Sequence, residues 1–129
     1  MQIEEIRDTA VTALEEIKAR DIVVLDVRKL TSLFDYLIVA SGDSTRQTKA
    51  LARNVRDRVK TAGGVIVGVE GEQTGEWVLV DLGAVVVHVM QPAIRDYYNL
   101  EQLWGAGAPR RVSALRRPDW RSQGGQARP

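Results

Sequence analysis

The sequence predicts a mixed α/β domain: a five-stranded mixed sheet with helices, in the order α-β-β-α-β-β-β-α. Three observations carry that expectation. Apolar residues recur at helical spacing in two long segments. Short runs rich in Val, Ile and Leu stand between and after those segments. Two of the runs are joined by a short turn containing glycine. The chain has 129 residues, 44% hydrophobic and 27% charged, which is the size and balance of one globular domain with one core.

Ile3, Ile6, Ala10, Ala13, Leu14 and Ile17 mark an amphipathic helix over about residues 2–19. Asp21 to Val27 reads as a strand, and Lys29 to Asp35 as a connection. Tyr36 to Ala40 is a continuous apolar run, typical of a strand buried on both faces. Ser44 followed by Gln47 is a capping-box pattern opening a second helix over about residues 45–62. Thr48, Leu51, Ala52, Val55 and Val59 give that helix its apolar stripe, and Gly63-Gly64 ends it. Val65 to Val69 is the next strand, so strand, helix and strand form a βαβ unit, parallel in sense and right-handed.

Glu70 to Glu76 is polar and punctuated by glycine, a loop. Trp77 to Val80 and Ala84 to Met90 are strands joined at Asp81-Leu82-Gly83. Both alternating sets of the last strand are apolar apart from His88, which predicts a position covered on two sides. Pro92 suits the first turn of a final helix over about 91–98, where its missing N–H costs nothing. Leu100, Leu103 and Trp104 close the domain.

The formal net charge of +1 hides an asymmetry, for residues 105–129 hold six arginines against the single acid Asp119. The body, residues 1–104, is acidic. The tail is also rich in Gly, Pro, Ser and Gln, so it is expected to be flexible; its arginines suit a weak contact with RNA phosphates, and the alternative is a solvated extension. The absence of cysteine excludes disulfides, thiolate catalysis and Cys-based metal sites. His88 is the only histidine, which excludes a His-rich metal centre. No apolar run approaches the ~18 residues that span a bilayer, and the acidic start Met1-Gln2-Ile3-Glu4-Glu5 does not resemble a secretory or transit signal. The expectation is a reduced, cytoplasmic protein with no membrane contact, no metal and no cofactor.

Three constellations invite a functional reading. Gly42-Asp43-Ser44 at a helix start, with Glu70 and Glu72 beyond the next strand, is the raw material of a magnesium-dependent nucleotidyltransferase; a capped helix and an acidic loop explain the same residues. His88 with Asp81, Asp26 or Asp35, and Ser41 or Ser44 as nucleophile, would make a hydrolytic triad; the alternative is a core histidine holding one hydrogen bond. Glu70, Glu72, Trp77, Asp81, Tyr97 and Tyr98 form an acidic and aromatic set suited to a basic partner, or merely the cover of a sheet edge. By pattern alone the chain is a mixed α/β domain, more binder than enzyme.

Four motifs go further. They are Asp35-Tyr36-Leu37-Ile38-Val39-Ala40-Ser41-Gly42, with Ser44 and Arg46 after it; Gly68-Val69-Glu70-Gly71-Glu72 followed by Trp77-Val78-Leu79-Val80-Asp81; Val86-Val87-His88-Val89-Met90; and Tyr97-Tyr98-Asn99-Leu100-Glu101-Gln102-Leu103-Trp104. Over about residues 2–104, in order and without an evident gap, the chain closely resembles the Iojap family of ribosomal silencing factors. The resemblance implies a nucleotidyltransferase-like fold without transferase activity. It implies a translational repressor that binds the large ribosomal subunit through ribosomal protein L-fourteen, sterically blocks association with the small subunit, and can self-associate as a homodimer. Carried over by motif, the contact residues would be Glu70, Glu72, Trp77, Asp81, His88, Met90, Tyr97 and Tyr98. One departure stands out: family members commonly have Gly-Asp where this chain has Gly83-Ala84, which leaves the hairpin tip without that carboxylate.

Overall fold

The first helix, α1 (Ile3–Glu16), buries Ala10, Val11, Ala13 and Leu14, the stripe its 3.6-residue period dictates. Its N-terminus is held by Glu5, whose carboxylate accepts the Gln2 N–H at 2.7 Å. It stops three residues earlier than its apolar spacing suggests. Lys18 takes a left-handed φ of 66°, and the N–H groups of Lys18 and Ala19 fold back onto the Glu15 and Leu14 carbonyls. That closing turn caps the helix and sends the chain into the sheet.

The computed structural model describes residues 1–105 and the pair Arg110–Arg111. Strands β1 (Arg20–Asp26) and β2 (Tyr36–Ser41) precede helix α2 (Thr45–Thr61); strands β3 (Gly68–Glu70), β4 (Trp77–Asp81) and β5 (Val85–Met90) follow it. Two short helices, α3 (Pro92–Tyr98) and α4 (Leu100–Trp104), and a two-residue strand, β6 (Arg110–Arg111), complete the order. The five expected strands thus form one mixed sheet, and the eight expected elements appear in sequence. β6 extends the sheet to β3-β4-β5-β2-β1-β6 by pairing with Val23 and Val24 of β1. The remaining tail residues, and the expectation that they are flexible, lie outside the described residues.

β2 and β5 are parallel neighbours at the centre, and every residue of both is buried. The other body pairings are antiparallel. β3 runs parallel to β2 in sense, but β4 and β5 lie between them, so the expected βαβ unit spans the sheet rather than joining neighbours. β3 is also shorter than its apolar run. Val65 and Val67 are 73% and 63% exposed, because the chain after α2 travels outside the sheet before Gly68 pairs with Asp81.

The sheet carries two cores. On one face α1 and α2 pack over Val24, Ile38, Val78, Val80, Val87 and Val89. On the other, Val23, Leu25, Leu37, Val39, Val86 and Met90 form a smaller cluster. Phe34, Trp77, Leu79, Ile94, Leu100 and Trp104 cover that cluster only in part. Among the described residues no helix is long and apolar enough to cross a membrane.

Candidate partner-binding surface

The strand period of two decides what the second face displays. Val78 and Val80 point to the helical layer and are fully buried, which turns Trp77, Leu79 and Asp81 to the opposite side. Register then assembles the surface. Glu70 lies opposite Leu79 and Leu79 opposite His88, a row crossing three strands. Trp77 lies opposite Met90, and Asp81 opposite Val86. Glu70, Gly71, Trp77 and Leu79 line a shallow depression of about 300 Å³.

Trp77 and His88 are joined directly. The indole N–H donates to His88 Nδ1 at 2.9 Å, so Nδ1 is unprotonated and a neutral ring carries its proton on Nε2. Burial pushes the His88 pKa down to about 4, which keeps the imidazole neutral at physiological pH. Tyr98 packs against Trp77 in a tilted pair, ring centroids 4.8 Å apart and planes at 50°, and Tyr97 meets Tyr98 edge-on at 5.0 Å. Tyr97 is 81% exposed and Tyr98 51%, so both offer rings and hydroxyls to solvent.

The tyrosines reach this position because α3 and α4 are clamped to the sheet. Arg95, buried, donates to Ser41 Oγ at 2.7 Å and forms a forked pair with Glu101 at 3.2 and 2.9 Å. Asn99, at φ 49°, supplies the left-handed link between the two helices. A guanidinium held on two sides fixes the angle at which Tyr97 and Tyr98 stand beside Trp77.

The sequence-expected set therefore divides. Glu70, Trp77, Asp81, His88, Tyr97 and Tyr98 gather around one face. Met90 is on the same face but fully buried, so it supports Trp77 and does not itself reach a partner. Glu72 sits half-buried in the turn after β3, outside the strand row. Leu79 belongs to the surface and was legible in the Trp77–Leu79–Asp81 alternation. The Arg95–Glu101–Ser41 clamp gave no sequence signal, since it depends on the break at Asn99.

The hairpin tip does not use a side chain at Ala84. Its carbonyl accepts the N–H groups of Asp35 and Tyr36, while Asp81 Oδ1 holds the turn by accepting the Gly83 N–H at 2.8 Å.

Neither catalytic constellation is brought together. Ser44 caps α2, its hydroxyl accepting the Gln47 N–H at 3.1 Å. The reciprocal arm of the expected capping box goes one residue further out, to the Asp43 N–H. Gly42 and Ser44 follow β2, whereas Glu70 ends β3, three strands over in the sheet, and faces the side opposite the long helices; the loop after it meets α2 through backbone, the Gly75 carbonyl accepting from Thr48 Oγ1. For a triad, Ser41 is bound to Arg95, Asp81 to the Gly83 N–H and Asp26 to Arg28, while His88 Nδ1 accepts from an indole. Among the described residues no group of three or more His, Asp or Glu is placed to hold a metal ion.

The family model described as "ribosomal silencing factor during starvation" matches residues 1–128. A Chromobacterium violaceum protein named ribosomal silencing factor RsfS is 61% identical over 109 residues, covering 84% of this chain and 89% of its own length. A mouse protein named mitochondrial assembly of ribosomal large subunit protein 1 is 35% identical over 100 residues, covering 75% of this chain and 44% of its own length. A crystal structure of a Chromobacterium violaceum protein superposes with a TM-score of 0.81 at 59% identity, over 87% of this chain and 93% of that one.

Proposed function

Because the chain belongs to the Iojap-type family of ribosomal silencing factors, we propose that it represses translation by binding the large ribosomal subunit through the acidic, aromatic face of its sheet. The occupant of that face is ribosomal protein L-fourteen, and the bound domain stands where the small subunit would join. The nucleotidyltransferase-like arrangement of sheet and helices serves as a scaffold for contact, not for chemistry.

The observation that carries this reading is the convergence of Glu70, Leu79, Trp77, Asp81 and Tyr98 on one incompletely covered sheet face. A half-buried indole braced by a tyrosine and a histidine is a rigid anchor, and rigid aromatics bind at low entropic cost. Glu70, which lines the same depression as the indole, and Asp81, at the other end of β4, favour a basic partner and speed its approach. The large subunit is further supported by the name of the mouse relative, which concerns assembly of that subunit.

The test is subunit joining. Added to separated subunits, the protein should lower the 70S fraction as it saturates large subunits, at equal stoichiometry and without nucleotide. Preassembled 70S ribosomes should resist. Glu70→Lys should weaken the effect, most strongly at low salt, where attraction is least screened. Sedimentation with small subunits alone, or inhibition at catalytic amounts, overturns the reading.

A further inference from the structure

The long helix α2 has a third side that neither core nor sheet face uses. Arg46, Lys49, Arg53, Arg56 and Lys60 follow one another at steps of three, four, three and four residues. At 3.6 residues per turn these fall on one line along the helix, about 21 Å from first to last. Arg46, Arg53 and Lys60 are exposed, and Lys49 and Arg56 half-buried. The line runs on the flank turned away from α1. The α1-facing flank is spent internally: Asn54 donates to the Ala13 carbonyl, Gln47 to the Ile17 carbonyl, and Arg58 pairs with Glu16.

The other arginines of the body are each neutralised by a carboxylate. Arg7 pairs with Asp8, Arg20 with Asp43, Arg28 with Asp26, Arg58 with Glu16 and Arg95 with Glu101. Along the α2 line the only ion pair among the described residues is a 3.4 Å contact between the sequence neighbours Arg56 and Asp57. Among the described residues, a body that is acidic in sum thus leaves Arg46 and Arg53 without an ion pair, both in this row, on the far side of the sheet from Glu70 and Asp81.

We propose that this flank of α2 docks the phosphate backbone of an RNA helix. A row of evenly spaced cations calls for a row of anions, which a nucleic-acid strand presents at about one charge per 3.4 Å. The acidic face of a second copy fits less well. Glu70 and Asp81 are only two carboxylates, at diagonal positions of one strand pair, and form no line. Guanidinium groups also suit phosphate oxygens, to which they can donate two parallel bonds. The proposal deepens the function above and rests on it for where RNA is met. A large subunit offers basic protein and RNA side by side, and this domain would hold one with its sheet face and the other with α2.

The test uses the full chain and a synthetic RNA duplex of two helical turns, titrated by fluorescence anisotropy at several salt concentrations. The triple variant R46E/R53E/K60E should lose at least about tenfold in affinity at low salt. Its log–log salt slope should be shallower by about 2 to 3, because each phosphate left unneutralised takes about 0.9 from the slope. Arg20→Glu, which lies off the row, should leave the slope unchanged. If the triple variant is less stable, R53Q/K60Q should still flatten the slope by nearly 2. An unchanged slope in both variants would assign duplex binding to the arginine tail and overturn the proposal. So would a triple variant that binds duplex normally but no longer self-associates, since the occupant would then be a second copy. Trp77→Ala separates the two readings: it should weaken large-subunit binding while leaving duplex binding intact. Wild-type protein that binds duplex through α2 but no large subunit would sink the function proposed above and leave this inference standing.

Discussion

The indole N–H of Trp77 is hydrogen-bonded to Nδ1 of His88 across the β4–β5 ladder. That bond requires a neutral imidazole, and burial enforces it by holding the His88 pKa at about 4. The histidine thereby acts as a strut for the half-buried indole of that sheet face.

Stability should consequently depend on pH through His88. Its pKa is about 6.5 when unfolded and about 4 when folded, so between those values the unfolded chain binds more protons. The contribution is complete above pH 6.5 and is lost as pH falls toward 4. Denaturant melts of wild type and His88→Gln at pH 7.5, 6 and 5 should show the wild type losing stability more steeply, by up to a few kcal/mol. Parallel curves would show that His88 titrates normally and that the strut is not enforced.

Trp77→Ala should weaken large-subunit binding by about 2 kcal/mol or more, because a central anchor and its packing against Tyr98 disappear together. The fold should persist, since the residue is only half-buried. Co-sedimentation and circular dichroism check both halves; normal binding by a chain that unfolds easily would place Trp77 in the core instead.

Glu101→Gln leaves the Arg95 guanidinium buried without its counter-charge. A cost of about 3 kcal/mol is expected, read as a fall in melting temperature of several degrees. The double variant R95M/E101M should recover much of that loss, because well-packed apolar residues often replace a buried pair without penalty. Both variants should also reduce subunit binding if the clamp positions Tyr97 and Tyr98.

Gly71→Ala tests the turn beneath the surface. Gly71 has φ 86°, and a Cβ there would run into the Trp77 carbonyl oxygen, a backbone atom that cannot yield. The β3–β4 connection must shift, carrying Glu70 and Trp77 with it. Subunit binding should fall by at least about tenfold, well beyond the effect of Gly68→Ala, where a Cβ meets nothing within 4 Å. Equal effects of the two substitutions would show that the turn does not position the surface.

Local chemistry determined much of this protein before any contact was known. Apolar periods placed α1, α2 and the central strands, because side-chain spacing depends only on backbone geometry. Pro92 and Gly83 marked a helix start and a turn through their own φ preferences. The motif residues Glu70, Trp77, Asp81 and Tyr98 were identifiable as a set. Tertiary structure alone decided that β5 enters between β2 and β4, which puts Glu70 far from Ser44 and dissolves the catalytic reading. It alone buried Met90, left Val65 and Val67 outside the sheet, and set Tyr98 against Trp77 through the Arg95–Glu101 clamp. Strand order and burial arise from contacts between residues distant in the chain, and no local spacing encodes which strand a strand will meet.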